Sequence, residues 1–255
     1  MTHGKTFFSL RLRETTILLS VVFFFAAFSG DAWGQKKFSK NYPAGQNVRL
    51  RLMNRVGTVT VEGWNRNEIN ISASMDSPAA AVLPQNLSGV IEINLVRDNQ
   101  GRETGSVNFL IRVPYSSEVD IETRIGNLNV SNIRSGLVRA HISSEGGITL
   151  TNIESAAVAA DNVMGDIFFD GVIIDGGAYR FNSAKGNINL RIPFNSSFKL
   201  VATAPSTRNI SLGSFSSDSM NFLSDGRRVV GRYGGGSPAT LTVTNQRGSI
   251  QFFPR

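Results

Sequence analysis

The chain is 255 residues long, with 41% hydrophobic and 18% charged residues, 25 Gly, 8 Pro and no Cys, a profile that excludes collagen-like, disulfide-stapled and wholly disordered proteins. A chain of this size can hold a core without metal or disulfide. Its 26 Lys and Arg against 19 Asp and Glu leave a formal charge of +7, which favours anionic partners without naming one.

The N-terminal segment reads as an export signal. Lys5, Arg11 and Arg13 precede an apolar run over 17–28 (ILLSVVFFFAAF), and the small-residue segment SGDAWG follows. This is the three-part layout of a secretory signal peptide. Twelve apolar residues make about 18 Å of helix against a hydrocarbon core of roughly 30 Å, so no permanent membrane span is expected after cleavage. Ala32 and Gly34 place small side chains where a signal peptidase inspects them, which predicts a signal peptide over 1–34 and a mature chain that starts at Gln35. Its removal deletes Lys5, Arg11 and Arg13 together with Glu14 and Asp31, lowering the charge from +7 to +6. With no Cys there is no disulfide and no Cys-linked lipid, so the product is expected in the periplasm, at the cell surface or outside the cell. Residues 35–44 read as an N-terminal tether and 45–255 as a single β domain. N-x-S/T triplets at Asn70, Asn86, Asn129, Asn195 and Asn209 read as turn residues of a bacterial protein rather than glycan acceptors.

A repeat of about twenty residues organises that domain. GNLNVSNI (126–133), GGITLTNI (146–153), GDIFFDGV (165–172) and GNINLRIP (186–193) follow one another at a nearly constant interval. A further copy, RNISLGSF from 208, has Arg where the others have Gly; GSIQFFPR from 248 is the last, and GTVTVEGW from 57 is an early outlier. Apolar residues alternate within each copy, as in Leu128 and Val130 or Ile148 and Leu150, which is the period of a strand. A second alternating segment precedes each copy, for example LVRAHI from 137 and AYRF from 178. Each repeat therefore reads strand, turn, strand, turn.

One such strand pair leaves its apolar face open, so repeats must stack. The predicted architecture is all-β: a β-solenoid, parallel β-helix-like, with rungs of roughly twenty residues and inward columns of Leu, Ile, Val and Phe. An antiparallel sandwich or meander competes, but its hairpins favour two-residue turns and do not require one motif to recur at a fixed interval. Rung boundaries are blurred over 58–125 and again over 214–238, where the rhythm gives way to a loop or a poorly matched coil. Asn127, Asp166, Asn187 and Asn209 follow the corner residue in four copies, and Asn132 and Asn152 share a later corner; these columns read as ladders along the solenoid axis.

These rungs behind a signal peptide resemble the bacterial adhesin-like domain of unknown function, a relative of the head-GIN type. The resemblance covers about residues 45–255 and implies an exported β-solenoid with an envelope or surface role. It offers no catalytic residue to carry over, and Arg208 departs from its glycine pattern.

The chemistry available to the domain is narrow. Beyond the signal segment His141 is the only histidine, and it lies in an alternating strand beside Arg139. Thiolate zinc sites are excluded by composition. Asp161, Asp166 and Asp170 cluster near one rung, but Asp166 and Asp170 in one extended strand stand about 13 Å apart, beyond the roughly 5–9.5 Å of a glycosidase pair. No enzyme activity, catalytic residue, metal or cofactor is predicted. Arg227, Arg228 and Arg232 beside Tyr233 form the densest basic group, suited to phosphate or carboxylate of an anionic ligand. The expected function is thus a non-catalytic, adhesin-like envelope or surface protein that binds a polymer or protein partner through its repetitive sheet faces. The alternative is a polysaccharide hydrolase or lyase using surface carboxylates. Nucleic acid is not an expected partner of an exported chain without a recognised module.

Overall fold

Alternating apolar residues can be hidden on only one side of a strand, so each strand pair has to find another to lie on. The computed structural model describes residues 35–45 and 47–255; the expected signal peptide over 1–34 lies outside the described residues. Among these are twenty-one strands: β1 (Lys36–Pro43), β2 (Arg49–Val56), β3 (Val59–Trp64), β4 (Glu68–Met75), β5 (Gln85–Leu87), β6 (Val90–Asn94), β7 (Val107–Pro114), β8 (Glu118–Ile125), β9 (Leu128–Ile133), β10 (Leu137–Glu145), β11 (Ile148–Glu154), β12 (Ala157–Met164), β13 (Ile167–Val172), β14 (Ala178–Lys185), β15 (Ile188–Ile192), β16 (Phe198–Thr203), β17 (Ile210–Ser211), β18 (Met220–Leu223), β19 (Arg228–Tyr233), β20 (Ala239–Arg247) and β21 (Ile250–Pro254). One four-residue helix, α1 (Leu95–Asp98), interrupts them. Lys36–Pro43, read from sequence as a tether, pairs antiparallel with β4 as the edge of a sheet.

The strands form a ten-stranded sheet, in the order β1-β4-β7-β3-β9-β11-β13-β15-β21-β17, and an eleven-stranded sheet, in the order β18-β19-β16-β20-β14-β12-β10-β8-β2-β6-β5. The interior pairings are parallel and in register, as a solenoid requires: Ile148 pairs with Leu128 and Ile167, and Leu150 with Val130 and Phe169. All six are buried. Ala140 and Ala160 precede Phe181 in one inward column, and the Phe169 ring meets those of Tyr179 and Phe181 with centroids 6.2 and 5.1 Å apart. Large rings fill space that the alanines leave, as close packing of a core requires.

The corners explain the glycines. At Gly146 (φ +147°) and Gly165 (φ +129°) an added Cβ would overlap the carbonyl oxygen of the corner glycine one rung before, Gly126 and Gly146 respectively. Backbone packs on backbone there, and only glycine leaves room. The following polar column is a ladder from side chain to backbone. Asn127 Oδ1 accepts from Gly147 N at 2.8 Å, Asp166 Oδ1 from Asn187 N at 2.7 Å, and Asn187 Oδ1 from Ser249 N at 3.1 Å. Asn209 contributes its backbone carbonyl, to Ile250 N at 2.9 Å. At the later corner Asn132 and Asn152 both take left-handed φ, and Asn152 Nδ2 donates to Asn132 Oδ1 at 2.8 Å. Arg208 also has positive φ, +58°, and pairs with Asp225.

The rungs do not stack in chain order. The copy beginning at Gly57 is a full rung that pairs with the copy beginning at Gly126, Val59 against Leu128 and Val61 against Val130. The blurred stretch between them folds outward: β6 and β7 add a rung on the far side of β2 and β3, while β1, β4 and β5 supply antiparallel edges. At the other end β16 and β17 step one rung ahead, and the C-terminal β20 and β21 return to fill the gap beside β14 and β15. β20 thereby gains a partner on each side, β14 and β16, while β21 pairs with β15 along its length and with β17 only at Ile250 and Gln251. The irregular segment over 214–238 is largely the antiparallel pair β18 and β19, which caps the eleven-stranded sheet. Beneath it Phe198, Phe215, Tyr233 and Phe252 form an aromatic plug, with neighbouring rings 5.1 to 6.3 Å apart. Antiparallel caps of this kind blunt an open sheet edge.

Candidate functional site

With the inward positions filled by core, function falls to the outward ones. On the eleven-stranded sheet the strands nearest the N-terminal end carry a ladder of opposite charges. Asp120 receives Arg139 in a two-pronged contact, Nε to Oδ1 at 2.6 Å and Nη2 to Oδ2 at 2.9 Å, and Arg51 stands 3.7 Å away on the other side. The hydrogen bond to Asp120 pushes the Arg139 pKa further up, so this charge is fixed at any accessible pH. Arg49 pairs with Glu118 and Arg97 with Glu92. Such half-exposed pairs contribute little to stability.

The predicted carboxylate cluster is not brought together. Asp161 lies on the outer face of the eleven-stranded sheet, where it accepts from Arg180 Nη2 at 2.9 Å and Asn182 Nδ2 at 2.7 Å. Asp166 is spent on the corner ladder. Asp170 lies on the ten-stranded sheet between Arg255 at 3.3 Å and Arg191 at 3.8 Å. Each faces a different direction and serves its own partner. His141 is half-exposed on β10, across from Glu122 on β8 and Asp161 on β12. Among the described residues no group of three His, Asp or Glu side chains could hold a metal ion. Tyr179, the large polar side chain near this face, has a structural task. It donates to Ser155 O and accepts from Ile174 N, both at 2.8 Å, and burial raises its pKa.

The arginine group separates into parts. Arg228 and Arg232 are exposed on β19, at its first and fifth positions and so about 13 Å apart along the strand. Arg227 sits in the turn before it and gives its carbonyl to Ala204 N at 2.8 Å. Tyr233 turns inward, stacked on Phe198 with centroids 5.4 Å apart. Arg232 Nη2 donates to Gly236 O at 2.8 Å. Directly across the antiparallel pairing from Arg232 is Lys199 on β16, also exposed. Sequence reasoning missed Lys199, because it lies far from Arg232 along the chain and only the pairing of β16 with β19 brings the two side by side. On the other flank of Lys199 lie Thr240, Ala178 and Ala157, small residues on successive strands of one row.

Taken together, two in-register sheets, corner glycines and flat outer rows define a β-solenoid of the stacked-rung kind. The chain belongs to the Toastrack DUF4097 family, whose sequence profile matches residues 27–248. Among solved structures it is similar to a candidate cell adhesion protein from Clostridium sporogenes ATCC 15579, with 11% identity, 87% of this chain and 100% of that chain covered, and a TM-score of 0.52. It is also similar to a candidate adhesin from Bacteroides fragilis NCTC 9343, with 10% identity, 87% and 99% covered, and a TM-score of 0.42. A third, a candidate lipid binding protein from Parabacteroides distasonis ATCC 8503, has 9% identity, 86% and 97% covered, and a TM-score of 0.37. No curated protein matches the chain. Among the described residues no helix is long and apolar enough to cross a membrane.

Proposed function

We propose that the chain is an exported, non-catalytic envelope or surface protein, adhesin-like, which holds an anionic polymer or protein partner on the outer faces of its sheets. The observation that carries this reading is the outward surface itself: in-register rows rich in hydroxyl, amide and charged side chains, such as Arg180 beside Thr242 and Asn182 beside Thr244, on which Asp120, Asp161 and Asp170 are held by arginines and Asp166 by the corner ladder. A row of fixed polar groups can engage a repeating ligand at several points, while a hydrolase needs two carboxylates facing one bond. The cell adhesion description of the Clostridium sporogenes fold relative agrees with it. The basic surplus of the mature chain favours an anionic partner.

The test is binding of purified 35–255 to cell-envelope preparations and to anionic and neutral glycans, at about 0.1 M and 1 M salt, where the Debye length falls from about 10 to 3 Å. Salt-sensitive retention without release of reducing ends is the expected result. Cleavage of a bound polysaccharide, abolished by Asp161→Asn or Asp170→Asn, would overturn it.

A further inference from the structure

The outward row that crosses β10, β12, β14, β20, β16 and β19 reads Leu137, Ala157, Ala178, Thr240, Lys199, Arg232. Its middle is a trough. Ala157, Ala178 and Thr240 leave a floor of methyl groups two strand spacings long, about 10 Å, running along the solenoid axis. Arg180 and Thr242 stand along one side, on the same face of β14 and β20, and the depression is open to solvent. Leu137 closes one end. The other end runs onto Lys199 and Arg232, cations directly opposite one another on neighbouring strands.

Two observations point to a ligand there. Like charges facing across an antiparallel pair are unfavourable unless an anion lies between them. Neither Lys199 nor Arg232 has a carboxylate partner among the described residues, whereas Arg139, Arg180 and Arg191 on these sheets each have one. The second is shape: the floor is lined by methyl groups, open to solvent, and flanked by the hydroxyl and guanidinium donors of Thr242 and Arg180. Only Nη2 of the Arg180 guanidinium is held, by Asp161, which leaves its other N–H groups available.

We propose that this trough binds an acidic polysaccharide, with a pyranose C–H face on Ala157, Ala178 and Thr240 and the acid group between Lys199 and Arg232. The hydroxyls of Thr240 and Thr242 and the free N–H groups of Arg180 take the sugar oxygens. The assignment rests on the envelope-binding reading above and gives it a place and a ligand class.

The experiment compares binding of 35–255 and its variants to polygalacturonate, to neutral dextran and to polyphosphate, which carries charge without rings. Polygalacturonate should bind and dextran should not. Lys199→Ser with Arg232→Ser should weaken polygalacturonate binding at least tenfold, and Arg227→Ser with Arg228→Ser less than twofold. Ala178→Leu fills the floor without changing charge. It should weaken polygalacturonate tenfold and leave polyphosphate unchanged, with an unaltered urea midpoint confirming that the solenoid is intact. Full polygalacturonate binding by the Lys199 and Arg232 double variant, or by Ala178→Leu, overturns the site and leaves the envelope-binding reading standing. Retention on envelope material without affinity for polygalacturonate overturns the ligand class, and binding to neither overturns both.

Discussion

Leu241 tests the out-of-order stacking most directly. It is fully buried and pairs in register with Tyr179 on β14 and Leu200 on β16. If the last repeat simply followed the one at 208, β20 would be a terminal strand with one open flank. Leu241→Ala would then lose little, because solvent and neighbouring chain could collapse into the space. In the observed order β20 is held by parallel hydrogen bonds on both sides, so its backbone cannot move to fill the hole. Leu→Ala in such a site costs about 2–5 kcal/mol, the larger values going with cavities that do not relax, and at Leu241 we expect about 3–5 kcal/mol. At a urea m-value of about 3 kcal/mol/M this lowers the midpoint by about 1–2 M. Thr244→Ala, outward on the same strand and half-exposed, should stay within about 0.5 kcal/mol. Hydrogen exchange supplies the second reading: amides over 241–245 should exchange at the rate of global unfolding. A loss below about 1 kcal/mol at Leu241, with fast exchange over 239–254, would refute the inserted rung.

Other outcomes follow from the same geometry. Gly165→Ala drives a methyl into the Gly146 carbonyl at positive φ and should cost more than about 2 kcal/mol in urea melts, while Gly235→Ala, with open space around it, should cost within about 0.5 kcal/mol. Asn162 is buried and its Nδ2 donates to Gly146 O at 2.8 Å, so Asn162→Ala should cost about 1–3 kcal/mol by the same assay; a neutral effect would mean that water replaces the bond. Expressed in a bacterium from its full sequence, the protein should be recovered outside the cytoplasm with Gln35 at or near its N-terminus. Edman sequencing of a cytoplasmic product that still carries Met1 would remove the export reading.

How much of this was legible depends on sequence distance. The rungs from 126 to 193 could be read in advance because each strand's partner lies one repeat period away, so inward alternation and corner glycines recur visibly. Gly57 showed the same motif, but nothing local says that its neighbour is Gly126, since β4 to β7 leave and return in between. The segment over 214–238 read as irregular because an antiparallel pair has no reason to keep the rung period. Tyr233 looked like part of a basic patch by adjacency to Arg232. In an extended strand adjacent residues face opposite ways, and the ring was needed to close the aromatic plug.

The same topology joins fold to site. Ala178 and Lys199 stand one repeat period apart in sequence, the separation of ordinary neighbouring rungs, and chain-order stacking would set them side by side. The returning strand separates them and places Thr240, from the C-terminal part of the chain, between the two. That insertion lengthens the methyl floor by one strand and moves Lys199 outward to face Arg232. β19 in turn can cap β16 only because β16 stands one rung beyond β20. The trough and its paired cations therefore exist only when the C-terminal strands are seated. A substitution such as Leu241→Ala, though it touches no ligand, should loosen the site in proportion to the fraction of molecules in which β20 is withdrawn.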